Sequence, residues 1–158
     1  MTEEKAITEE MKRSIGSLLN VKVNRIDRRA VEQYVDATSD TNPLWQENDF
    51  AIRAGYGGVL VPPGFLVTVQ MEGGSPGNYM PSQAHLGGAV DGGGEWEFFH
   101  PVRVGDVITA VRKIVDMTEK KGKLGTMIFN TFETTYYNQK SEVVAKSRCT
   151  SIRYSTKS

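Results

Sequence analysis

Residues 62–71 read Pro62-Pro63-Gly64-Phe65-Leu66-Val67-Thr68-Val69-Gln70-Met71, and whether this run is a helix or a strand decides the architecture. Val67, Thr68 and Val69 are β-branched and would suit a strand. Proline, however, is favoured in the first helical turn, where its missing N–H would have no partner anyway, and the run is long for a strand. We read a helix that starts near Pro63. Its faces are nearly all apolar, which predicts burial on every side.

Outward from the helix toward the C-terminus, residues 72–94 hold eight glycines with Pro76 and Pro81, and read as a long loop. Beyond it the hydrophobic period changes from about 3.6 to 2. Strands are predicted over Glu95–Phe99, Val107–Met117, Gly125–Tyr137 and Glu142–Tyr154. Pro101 to Asp106 forms a corner, Glu119 to Lys123 a polar turn, and Asn138 to Ser141 a hairpin turn. Toward the N-terminus, Met11, Ile15, Leu18 and Leu19 mark one face of a helix over Thr8–Leu19. Val21 and Val23 suggest a brief strand, and Asp27 is an N-cap for a second helix, Arg28–Thr38. Glu47 to Ala54 adds one or two helical turns before Gly55 and the Gly57-Gly58 pair. The fold class is therefore α+β, a curved antiparallel meander wrapped around the 62–71 helix. Such a sheet has open edges, and dimerisation is the usual way to cover them.

The chain is 158 residues long, the size of one domain. The expected organisation is a single domain over 1–158, with 1–20 as an N-terminal helical extension. Lys plus Arg and Asp plus Glu number 19 each, so composition implies no basic face and argues against nucleic acid as a partner. The one cysteine, Cys149, excludes an internal disulfide and fits a reducing compartment. The polar, acidic start is unlike a signal peptide, and no run approaches the roughly 18 apolar residues of a membrane span. A cytoplasmic protein without membrane partners is the expectation.

Four strings, in this order and spacing, resemble the MaoC-like dehydratases, in particular the N-terminal type of MaoC-like domain. They are Asp40-Thr41-Asn42-Pro43-Leu44, Val61-Pro62-Pro63-Gly64-Phe65, Glu95 through Asp106, and the hairpin from Gly122 to Glu133. The resemblance runs from about Ile26 to Tyr154. It implies a hot-dog fold working as a dimer of folds, with a CoA or carrier-protein thioester held between them, as in R-specific enoyl-CoA hydratases. No other cofactor and no metal is implied. In catalytic members the turn reads Asp, any residue, Asn, Pro, an aliphatic residue, then His, and the Asp and His hold water and move protons. Here Asp40, Asn42, Pro43 and Leu44 match, but Trp45 stands in the place of the histidine. An indole N–H only donates and has no basic nitrogen, whereas imidazole does both.

Each candidate has a plainer reading beside the functional one. Asp40 is either a remnant of the acid–base pair, supported by Asn42, or a turn residue satisfying backbone amides. Trp45 either plugs the substrate space or lines the acyl or pantetheine path. Pro63, Gly64 and Phe65 stand where a helix N-terminus would meet a thioester carbonyl, and Gly64 either lets the oxygen approach or only relieves crowding. His85, in the glycine-rich loop, is a substitute base or a solvated side chain, and His100 reads as structural. Cys149 reads as a small core residue. Lys120, Lys121, Lys123, Arg103, Lys146 and Arg148 could each meet CoA phosphates, and nothing selects among them.

The leading expectation is one subunit of a heteromeric MaoC-like enoyl-thioester hydratase or 3-hydroxyacyl-thioester dehydratase, with a second hot-dog chain carrying the intact pair. The alternatives are a homomeric hydratase or acyl-CoA thioesterase using Asp40 or Glu72, and a non-enzymatic acyl-thioester binding protein.

Overall fold

The computed structural model describes residues 7–71, 83, 86–122 and 125–154. Its strands are β1 (Leu18–Arg25), β2 (Gly88–Phe98), β3 (Val107–Gly122), β4 (Gly125–Tyr137) and β5 (Val143–Tyr154). They form one sheet in the order β1-β3-β4-β5-β2, with every pairing antiparallel. Burial alternates along β3 and β4: Ile108, Ala110 and Ile114 share the inner face with Ile128, Phe132 and Tyr136. A bulge between Ile114 and Asp116 shifts the parity, so that Met117 also points inward.

The helices are α1 (Glu9–Arg13), α2 (Arg28–Thr38), α3 (Asn48–Arg53) and α4 (Leu66–Met71). A 3-10 turn at Pro63–Phe65 runs directly into α4, so the chain is helical from Pro63 to Met71, with Pro62 as its extended N-cap. Phe65, Leu66 and Val69 pack with Val31 and Val35 of α2 against Ile108, Ala110, Tyr136, Val144 and Ala145 of the sheet. The sheet thus curves around a buried central helix. A second cluster joins Ile7, Met11 and Leu86 to Ile114, Met117, Ile128 and Phe132 at the other end of the inner face. The inner face also carries polar side chains, Gln83 and Asn130 within the second cluster and Arg112 between the two. Gln83 and Asn130 exchange two amide hydrogen bonds of 2.9 Å, and the Arg112 guanidinium lies 4.5 Å from the Phe132 ring centre.

Several expectations are corrected. The first helix stops at Arg13 rather than Leu19, because Gly16 takes φ +88° and its N–H donates to Ile114 O at 2.7 Å, turning the chain into β1. Residues 18–20 of the expected helical extension therefore belong to the sheet. Val67 is 38% exposed, so the central helix is not covered on every side within one chain. The glycine-rich segment yields strand from Gly88, not from Glu95, because the missing side chains make room. A Cβ on Gly88 would run into the Tyr154 ring, and one on Gly94 would press on Cys149 Sγ. β3 likewise continues through the expected polar turn to Gly122. The four C-terminal strands are not a simple meander, since β2 pairs with β5 across the sheet.

Candidate functional site

Helix α2 aims the candidate loop. Asp27 caps its start, accepting from Ala30 N at 3.2 Å, and Ser39 ends it in the left-handed region at φ 53°. Ser39 N–H returns to Asp36 O and Asp40 N–H to Val35 O, a Schellman-type closure that satisfies the last carbonyls. The chain leaves this cap with Asp40 turned back toward the residues that follow.

Asp40 then organises the next six residues. Its Oδ1 accepts the Asn42 backbone N–H at 3.0 Å, and its Oδ2 accepts the Trp45 indole N–H at 2.9 Å. Its carbonyl accepts the Gln46 side-chain amide at 2.9 Å. Asn42 Oδ1 takes the Leu44 N–H at 3.0 Å and so caps a 3-10 turn over Pro43–Trp45, which Pro43 begins. Leu44 O accepts Leu60 N–H at 3.0 Å, tying the loop to the segment that enters the central helix. The half-buried Trp45 ring packs on the α2/α4 core cluster. Both carboxylate oxygens of Asp40 are thus engaged by donors of the same loop, one of them the Trp45 indole.

Pro63 and Gly64 are exposed and Phe65 is buried at the start of the central helix. Tyr34 of α2 stands over them, edge-on to Phe65 with ring centres 5.6 Å apart. A Cβ on Gly64 would collide with the Tyr34 hydroxyl, which gives the crowding reading of Gly64 a concrete partner. Asp40, Asn42 and Trp45 are therefore brought together by hydrogen bonds. Pro63, Gly64 and Phe65 form a second group, joined to the first through the shared core and through Leu44 and Leu60. Beside the second group lies an apolar groove of about 190 Å³, lined by Val61, Pro62, Pro63, Leu66 and the segment Phe98–Val102. Ligand sites usually measure roughly 300–1,000 Å³, so this groove is too small alone for an acyl chain with its pantetheine arm.

The remaining candidates separate. Glu72, His85 and Lys123 lie outside the described residues. His100 lines the apolar groove at the corner before β3. Cys149 is half-buried, and burial pushes its thiol above the ordinary value, the wrong direction for a nucleophile. Arg148 bonds Glu133 at 3.2 Å, and Lys146 shares a surface groove with Glu95, Glu97 and Glu133, surroundings unsuited to a phosphate. Lys120 lies over the Phe129 ring at 4.8 Å, and the Arg103 side chain donates to Tyr56 O. No group of three or more metal-ligating side chains occurs among the described residues. No helix of the described residues is long and apolar enough to cross a membrane. Sequence reasoning missed the buried polar row Arg112, Thr134 and Ser147, which crosses the inner face beside Tyr136, whose phenol burial pushes well above its usual range.

With the geometry established, the chain can be set beside known proteins. Residues 13–147 match the family model described as FAS1-like, dehydratase domain region. A curated relative, the UPF0336 protein of Thermobifida fusca, is 32% identical over 98 residues, covering 61% of this chain and 64% of the relative. A second, the probable enoyl-CoA hydratase alpha subunit of Thermomonospora curvata, is 28% identical over 141 residues, covering 80% of this chain and 44% of the relative. The chain thus spans less than two thirds of either relative's length. Among solved structures, the ChsH1-ChsH2 complex from Mycobacterium tuberculosis superimposes with a TM-score of 0.77 at 16% identity, over 93% of this chain and 89% of the matched one. The MaoC-like dehydratase from Rhodospirillum rubrum gives 0.70 at 18% identity, over 91% and 94%. These structures share the hot-dog fold with this chain, an α+β arrangement in which the sheet wraps the central helix.

Proposed function

This chain belongs to the family of FAS1-like dehydratase domain regions, and from that premise we propose that it is one subunit of a heteromeric enoyl-thioester hydratase or 3-hydroxyacyl-thioester dehydratase. The observation that carries the reading is the 2.9 Å hydrogen bond from the Trp45 indole N–H to Asp40 Oδ2. Hydration of an enoyl thioester needs one group to take a proton from water and one to deliver a proton to the carbon beside the carbonyl. The indole has no basic nitrogen to share that work, and Asp40 is occupied within its own loop. Asp40 and Asn42 are read as the retained frame of the reacting pair. Trp45, Pro63, Gly64 and Phe65 are read as the wall this chain contributes to an acyl-thioester path completed by a partner.

Two of the proteins it resembles support the subunit reading by their names, one an alpha subunit and one a two-component complex. The partner assigned here is a second hot-dog chain with the Asp and His intact, acting on a CoA or carrier-protein thioester. General acid–base help is worth on the order of 10²–10⁴-fold. The purified chain should therefore hydrate crotonyl-CoA at least about 100-fold more slowly than its co-expressed pair. Robust turnover by the homogeneous chain would refute the assignment and favour the homomeric alternative. Tight acyl-CoA binding without turnover beside every such partner would favour the non-enzymatic one.

A further inference from the structure

We propose that the Tyr34 hydroxyl is the hydrogen-bond donor this chain gives to the carbonyl oxygen of an acyl thioester, an inference that rests on the reading above for the class of ligand. Tyr34 lies in the second half of α2 and is half-buried, its ring held edge-on to Phe65 at 5.6 Å and 84°. Its backbone carbonyl accepts the Thr38 hydroxyl at 2.9 Å, which ties it to the helix end that launches the Asp40 loop. The phenolic hydroxyl itself makes no hydrogen bond among the described residues. Packing fixes the ring, and the polar end of the side chain is left without a use inside the fold.

That polar end stands over Gly64, where a Cβ would collide with it. Gly64 does not take a positive φ, so its backbone would accept any residue, and what the glycine supplies is room beside the phenol. Pro63 and Gly64 are both exposed, which leaves this meeting point open to a ligand. The apolar groove reaches Pro63, so a place for acyl carbons and a donor for their carbonyl lie one residue apart along the chain.

Hydration or dehydration of a thioester builds negative charge on its carbonyl oxygen, and a donor aimed at that oxygen stabilises it. The neighbouring donor is already engaged, since the Trp45 N–H is held by Asp40. Val61, Pro62, Pro63 and Phe65 carry no side-chain donor, and His100 is the polar side chain on the groove. The phenol keeps its proton in this role: it donates a hydrogen bond, and no bond to it is made or broken.

The test is calorimetric titration of the purified full chain with crotonyl-CoA and with S-crotyl-CoA, the thioether in which a methylene replaces the carbonyl. Tyr34→Phe should weaken crotonyl-CoA binding about three- to tenfold and leave S-crotyl-CoA unchanged. The infrared carbonyl stretch of bound crotonyl-CoA should lie lower in wild type than in the variant, a signature that a merely structural role would not move. Should the variant fail to fold, wild type alone still decides, because it should prefer crotonyl-CoA over the thioether by about threefold or more. Equal losses for the two ligands, a carbonyl-selective loss in His100→Ala instead of Tyr34→Phe, or no crotonyl-CoA binding at about 1 mM would each overturn the proposal. Failure of the hydratase assignment shows separately, as an absence of turnover beside every partner while the carbonyl-selective binding persists.

Discussion

Replacing Trp45 with phenylalanine isolates the hydrogen bond on which the functional reading stands. Phenylalanine keeps most of the ring on the core but loses the N–H that reaches Asp40 Oδ2 at 2.9 Å. Hydrogen bonds to charged groups contribute about 1.5–3 kcal/mol. Asp40 and Trp45 are both half-buried, so water recovers part of that and the expected loss lies near the bottom of the range. For a domain of this size about 1.5 kcal/mol lowers Tm by roughly 3–6 °C. The decisive assay is a double-mutant cycle by urea unfolding with Trp45→Phe, Asp40→Asn and the pair. Asp40→Asn keeps a carbonyl oxygen for the Asn42 N–H, so the coupling reports chiefly the indole–carboxylate contact. A coupling of about 1 kcal/mol is expected. Additivity within about 0.3 kcal/mol would mean that the indole does not latch the loop, and the argument that Asp40 is occupied would fall with it.

Two further outcomes follow from the packing. Gly64→Ala should destabilise the chain by about 1–3 kcal/mol, because the new Cβ meets the Tyr34 hydroxyl, and Tyr34→Phe in the same chain should restore most of the loss in thermal unfolding. No rescue would show that the glycine serves something other than space. Stability should also fall at alkaline pH on account of Tyr136. Burial holds the folded phenol's proton where the unfolded chain, with a pKa of about 10, has already lost it. Its contribution is therefore intact below about pH 10 and is lost as pH rises beyond it, by up to about 1.4 kcal/mol per pH unit. Urea midpoints measured across that range should decline less steeply in Tyr136→Phe.

The parts of this molecule legible in its sequence are those fixed by neighbours along the chain. The Asp27 cap, the span of α2 and the start of the central helix at Pro63 each depend on residues within one or two turns. What escaped depends on residues far away. β2 begins at Gly88 because Tyr154, on a strand more than sixty residues later, fills the space a side chain would need, and glycine carries no strand propensity to announce that. The pairing of β2 with β5 is likewise decided by which faces must be buried, not by the order of the strands. Arg112 was within reach, since it falls between Ala110 and Ile114 on the inward parity of β3, but its burial over Phe132 breaks the rule that a charged side chain marks the solvent face.

The candidate site divides along the same line, and the division bears on function. That an indole cannot act as a base follows from residue chemistry and needs no coordinates. That the indole N–H closes on Asp40, five residues earlier, needed the 3-10 turn begun by Pro43, because only that turn carries the ring back over the carboxylate. The turn gives the loop a structural use independent of proton transfer. A chain under no demand for catalysis can keep Asp40, Asn42 and Pro43 for that use alone, because they hold Leu44 against Leu60 and so set where the central helix begins. The presence of Asp40, Asn42 and Pro43 is thus no argument by itself for proton transfer in this chain, and a test of activity has to read turnover rather than the integrity of the loop.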